Sequence, residues 1–148
     1  MLELGCGMGA LSLIASAHGF AAITATDVNA DALDFARAHV LKNGLQHLID
    51  VKYLDVARRT EGKWDIIAAS ELLYLDSLHR PLLKFLARHL SQDGKAFFCT
   101  DIARLKPLFA KFAAKSFKVA EGKIGVKASG EDGEVERRVY SILILERP

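Results

Sequence analysis

The chain has 148 residues, 51% of them hydrophobic and 26% charged, with a net charge of +2. This suits one packed domain over residues 1–148 and excludes a disordered tail or a globally basic nucleic-acid binder, so no nucleic-acid partner is expected. No apolar run approaches the roughly 20 residues of a membrane-spanning helix, and no basic-then-apolar leader opens the sequence. A cytoplasmic protein with no membrane partner is therefore expected, and Cys6 and Cys99, its two cysteines, read as reduced thiols.

The first element is a short apolar strand running into a glycine-rich turn, Met1-Leu2-Glu3-Leu4-Gly5-Cys6-Gly7-Met8-Gly9. The helix predicted over residues 10–18 points its free N–H groups at whatever the turn holds. Two motifs overlap here. Gly5-x-Gly7-x-x-Ala10 satisfies the dinucleotide fingerprint, and Glu3-x-Gly5-x-Gly7-x-Gly9 satisfies (D/E)xGxGxG. The embedded acid discriminates: a carboxylate repels a pyrophosphate but suits a ligand carrying a sulfonium and an ammonium. Cys6 is read as a small turn residue, since no base lies near it in sequence to make it a nucleophile.

On that acid and its glycines the chain resembles the class I (seven-strand, Rossmann-like) S-adenosylmethionine-dependent methyltransferases. The resemblance implies S-adenosyl-L-methionine as cofactor, with Glu3 at its methionyl end and Gly5, Cys6, Gly7 and Gly9 forming its turn. In that family a helix precedes this strand and helps to cover the cofactor. A chain that opens on the strand itself has a misassigned start, is a fragment, or has an unusually open pocket.

A second strand, residues 21–27, ends in Asp27, 18 residues after Gly9. An acid at that distance sits on the neighbouring strand tip and can accept from both ribose hydroxyls; its other role would be to cap the next helix. Val28 is placed to wall the adenine. Asn29 caps a helix over residues 30–43, with Leu33, Ala36, Val40 and Leu41 as its buried stripe. The third strand, residues 48–54, leads to Asp55-Val56. The resemblance implies that Asp55 accepts from the adenine amino group and that the Val56 N–H meets the ring. A turn-forming Asp55 is the other reading.

The fourth strand, residues 64–69, is nearly all apolar, as a central parallel strand should be. It ends in Ser70-Glu71-Leu72-Leu73-Tyr74, at the edge where open α/β sheets bind ligands. Glu71-x-x-Tyr74 resembles the (D/E)xx(Y/F) motif of the seven-strand protein-lysine methyltransferases, with Glu where Asp is more usual. The resemblance implies a protein lysine acceptor, with Glu71 and Tyr74 as catalytic residues and Ser70 among the cofactor contacts. An acid at a helix start and a core tyrosine is the other reading of the pair. His79 is expected on a helix surface rather than as a base.

A helix from Asp76 or Ser77, with Pro81 in or near its first turn, carries Leu78, Leu82, Phe85, Leu86 and Leu90 inward. Ser91-Gln92-Asp93-Gly94 breaks it before a fifth strand at residues 95–100. A helix over residues 103–115 follows, with Leu105, Leu108, Phe109 and Phe112 inward and Lys106, Lys111, Lys115 and Lys118 solvated. Residues 117–128, a turn at 129–133 and residues 135–146 read as a hairpin.

The fold class is therefore α/β: a three-layer, doubly wound, mostly parallel seven-strand sheet. The resemblance implies the order 3-2-1-4-5-7-6 with strand 7 reversed. No metal-binding acid cluster is visible. Protein-lysine methyl transfer leads, and a small-molecule methyltransferase, a catalytically weak binding module and an NAD enzyme are the competing readings.

Overall fold

The computed structural model describes residues 1–104, 107–129 and 135–148. Strand β1 (Leu2–Leu4) is followed by helix α1 (Ala10–Ala17), β2 (Ile23–Asp27), α2 (Ala30–Lys42), β3 (Ile49–Tyr53) and β4 (Trp64–Ser70). Then come α3 (Asp76–His89), β5 (Leu90–Asp101), a 3-10 turn (Ile102–Arg104), α4 (Pro107–Ala113), β6 (Lys118–Ser129) and β7 (Val135–Glu146). The strands form one sheet in the order β3-β2-β1-β4-β5-β7-β6. β1 to β5 pair in parallel, and β7 runs antiparallel to both neighbours. This is the expected fold.

Alternation along the strands builds two cores. Leu2, Leu4, Ile67, Ala69, Phe98 and Leu143 project to one face, against Leu82, Phe85 and Leu86 of α3 and Phe109 of α4. Ile23, Ala25 and Ile49 project to the other, against Ala15 of α1 and Leu33, Ala36 and Val40 of α2. β1 is only three residues long but central, so Leu2 and Leu4 are almost fully buried.

Several expectations are corrected. Leu41 and Leu108 are exposed, at 65% and 54%. α2 rests on the sheet along the narrower line of Leu33, Ala36 and Val40, and Phe109, not Leu108, anchors α4. His79 is buried, not on the surface: its Nε2 lies 2.8 Å from the Leu73 carbonyl and its ring meets Phe109 edge-on at 5.2 Å. Pro81 is the sixth residue of α3, so it lies in the second turn; Ser77, whose carbonyl loses that partner, is exposed. The run 91–94 does not separate helix from strand, because β5 begins at Leu90. Trp64 pairs with Leu90 and Ile66 with Lys95, and the four residues are looped out between them. α4 is also shorter than the pattern predicts, starting at Pro107 after the 3-10 turn and ending at Ala113. Leu105, Lys106 and residues 130–133 of the expected turn lie outside the described residues.

Candidate functional site

The C-terminal ends of β1, β2 and β4 meet at the glycine turn. Gly5 has φ +67°, and a Cβ there would lie 3.3 Å from Leu72 Cδ1. Gly9 has φ +81° and a Cβ would lie 3.4 Å from that of Ala36, so both left-handed positions leave room for close packing as well as a sharp turn. The turn is tied down on three sides. Cys6 N–H donates to the Thr26 carbonyl at 2.8 Å, Gly7 N–H to Asp27 Oδ2 at 2.9 Å, and His39 Nδ1 lies 2.9 Å from the Met8 carbonyl.

Glu3 is 3% exposed, and its Oε2 accepts from both the backbone N–H and the hydroxyl of Ser12 on α1. Burial pushes its carboxyl above the ordinary value of 4.5, against the opposing pull of the Ser12 hydrogen bonds; the Asp27 charge pushes it further up. A raised carboxyl contributes stability that is fully present below pH 4.5 and is lost as pH rises through the raised value. Urea unfolding is expected to show stability falling from pH 4.5 towards neutrality, and Glu3→Gln is expected to flatten that fall. An unchanged slope in the variant would assign it elsewhere.

Cys6 is buried, and burial, followed by the Glu3 and Asp27 charges, pushes its thiol up to about 12. Burial and Glu71 push the Cys99 thiol up as well. A thiol held protonated is neither a nucleophile nor readily alkylated. Neither cysteine of the folded chain is expected to react with iodoacetamide at pH 8 within an hour, whereas both react in urea; mass spectrometry reads the result.

Asp27 uses both oxygens: Oδ2 accepts from Gly7, and Oδ1 from the Asn29 N–H at 2.9 Å. Asn29, not Asp27, caps α2, through its Oδ1 to Asp31 N–H at 2.9 Å. Asp55 Oδ1 accepts from Ala57 N–H at 2.8 Å, and Oδ2 lies 3.4 Å from Arg58 Nε, so the residue organises its own turn.

Glu71 has φ +53°, the one left-handed non-glycine residue among those described. Its N–H donates to the Cys99 carbonyl at 2.8 Å and its Oε1 accepts from Asp101 N–H at 2.7 Å. The end of β5 thus holds both the backbone and the carboxylate of Glu71. Its Oε2 is buried without a hydrogen bond, with Arg104 at 3.6 Å. Tyr74 is 48% exposed, so it is no core tyrosine.

Two cavities share this edge. One of about 250 Å³ brings together Asp27, Val28, Asp55, Val56, Glu71 and Tyr74. The other, about 810 Å³, opens on the opposite side, where Glu3 and Cys6 meet Phe97, Cys99 and Ile142. Gly5 and Ser70 line both and form the ridge between them; Gly7 and Gly9 line neither. The partners His39, Asp101 and Arg104 carry no signal in the motifs. Ser12 alone had a signal, a hydroxyl in the first turn of the helix after the glycines. No three metal-ligating side chains cluster among the described residues. No described helix is long and apolar enough to cross a membrane.

This strand order, with a glycine turn after the first strand and an acid at the tip of the second, is the class I methyltransferase fold. The model of the methyltransferase domain family matches residues 2–96, and the chain belongs to that family. It is 28% identical over 115 residues to the ribosomal protein L11 methyltransferase of Thermotoga maritima, covering 78% of this chain and 42% of that protein. It is 35% identical over 101 residues to the ribosomal RNA small subunit methyltransferase C of Haemophilus influenzae, covering 64% of this chain and 30% of that one. A crystal structure of a ribosomal protein L11 methylase from Lactobacillus delbrueckii subsp. bulgaricus superimposes with a TM-score of 0.71 at 24% identity, covering 99% of this chain and 69% of that one. The chain spans less than half the length of these two sequence relatives. Their names point to ribosomal protein and ribosomal RNA methylation, not to the lysine methyltransferase group in particular.

Proposed function

We propose that this chain is the cofactor-binding domain of an S-adenosylmethionine-dependent methyltransferase whose acceptor is an amine, with a protein lysine side chain as the preferred class. The observation that carries the cofactor assignment is the donation of the Gly7 N–H to Asp27. A turn amide that a pyrophosphate would need is given to a carboxylate, and Asp27 and Asp55 leave the rim acidic. That suits a cationic cofactor without phosphate and disfavours NAD. In this reading Asp27 holds the ribose, Val28, Asp55 and Val56 border the adenine, and Glu3, Gly5, Cys6 and Ser70 face the methionyl end, with Gly7 and Gly9 shaping the turn.

When bound, the cofactor supplies a methyl group already activated by its sulfonium. The chain's own work is then alignment and control of a proton. Glu71 receives the acceptor N–H on Oε2, orienting the nitrogen, and takes up its extra proton there, to be passed to solvent, before attack. Tyr74 walls the approach. With its lone pair free, the acceptor nitrogen would be ready to take the methyl that the bound cofactor would supply, the sulfonium serving as the leaving group. Protein-L11 relatives support a protein acceptor. The ribosomal RNA relative supports a second reading, a nucleic-acid amine, contrary to the expectation of no nucleic-acid partner. The relatives are bacterial and named for ribosomal substrates, which supports a cytoplasmic setting.

Calorimetric titration with S-adenosylhomocysteine, with NAD as control, tests the cofactor: micromolar binding of the former alone is expected, and NAD binding would overturn the assignment. Transfer of radiolabelled methyl to ribosomal protein or to ribosomal RNA then separates the acceptors.

A further inference from the structure

Glu71 is an unfinished ion pair. One carboxylate oxygen is fixed by the Asp101 N–H, while the other is buried and accepts no hydrogen bond. Among the described residues its cationic partner is Arg104, the last residue of the 3-10 turn that follows β5. Its Nη1 stands 3.6 Å from Glu71 Oε2, and its side chain is 65% exposed. An arginine that serves a carboxylate structurally meets it at about 2.7–2.9 Å, commonly with two parallel hydrogen bonds. Arg104 has neither the distance nor the hydrogen bond. It neutralises Glu71 loosely with a largely exposed side chain, while Glu71 itself lines the cleft with Ser70 and Tyr74.

We propose that Arg104 occupies the cation seat of Glu71 when no acceptor is bound, and that the acceptor enters as a cationic amine by displacing it. Arg104 is then a specificity-determining residue. It turns away neutral molecules, which gain nothing by displacing a cation from Glu71, and admits an ammonium that can complete the hydrogen bond Oε2 lacks. With its arginine side chain 65% exposed and its 3.6 Å separation beyond a hydrogen bond, the pair is weak, so exchanging it costs an incoming ammonium little. The inference rests on the amine-acceptor reading above and adds the charge state of the acceptor and the group that yields to it.

The test is an NMR titration of the protein saturated with S-adenosylhomocysteine. The probes are Nα-acetyl-lysine methylamide and its neutral norleucine counterpart. Arg104→Met is expected to bind the lysine probe about three- to tenfold tighter than the parent chain, the gain set by a weak pair removed. The norleucine probe should bind the two alike. Lys111→Met, which removes an exposed charge on α4, should leave both affinities unchanged and so excludes a net-charge effect. If Arg104→Met binds the lysine probe no tighter while the parent still prefers it to norleucine, the role of Arg104 is overturned and the amine reading stands. If the parent and Arg104→Met bind the two probes alike, the amine reading fails and takes this proposal with it.

Discussion

Replacing Asp27 by alanine is expected to weaken S-adenosylhomocysteine binding by about 100-fold. Two ribose hydroxyls donating to a carboxylate are worth about 1.5 kcal/mol or more each, and 1.4 kcal/mol is tenfold. The side chain also holds the turn, since it accepts from Gly7 and from Asn29 on separate oxygens. Asp27→Asn keeps the size but offers one oxygen where two are in use, so it should lose about tenfold. Calorimetry reads the affinity and thermal unfolding reads the turn. An unchanged affinity in the alanine variant would sink the ribose assignment.

Glu71 separates function from strain. Glu71→Ala and Glu71→Gly are both expected to lower turnover by about 100-fold while sparing cofactor affinity, because general acid-base and positioning roles contribute on that scale. Both also abandon the Asp101 N–H. They should differ in stability: at φ +53° alanine keeps the left-handed strain and glycine releases it, so the glycine variant should be more stable by about 1 kcal/mol. Full turnover in either variant would remove Glu71 from the chemistry. Equal stability would show that the left-handed conformation relaxes once the carboxylate is gone.

The sheet was legible because strand and helix periods alternate cleanly and because β4, at its centre, is nearly all apolar. The reversed last strand came from the resemblance, and Ile142 pairing with Cys99 and Gly122 realises it. Where the reading failed, a short-range pattern was asked a long-range question. The helical period admits Leu41 and Leu108 equally well, but only the sheet beneath decides how wide a stripe it covers. His79 was read from its type, whereas its burial follows from Phe109, thirty residues on, and from the bend that brings the Leu73 carbonyl to it. At the site, the glycines and the acid at each strand tip declare themselves by spacing. Ser12, His39 and Arg104 do not, because each reaches its partner through the fold and belongs to no motif.

The one tryptophan has a practical consequence. Trp64 opens β4, its ring 6.3 Å from that of Phe85 and 5.9 Å from that of His89, while Ser70 and the cleft lie at the strand's other end, about 20 Å away. Its fluorescence is expected to follow the separation of α3 from the sheet and to stay silent when ligand enters. An emission titration with S-adenosylhomocysteine should therefore be flat even where calorimetry registers binding. The same signal in urea should give a clean unfolding curve, and the shift of its midpoint with ligand would report affinity through stability.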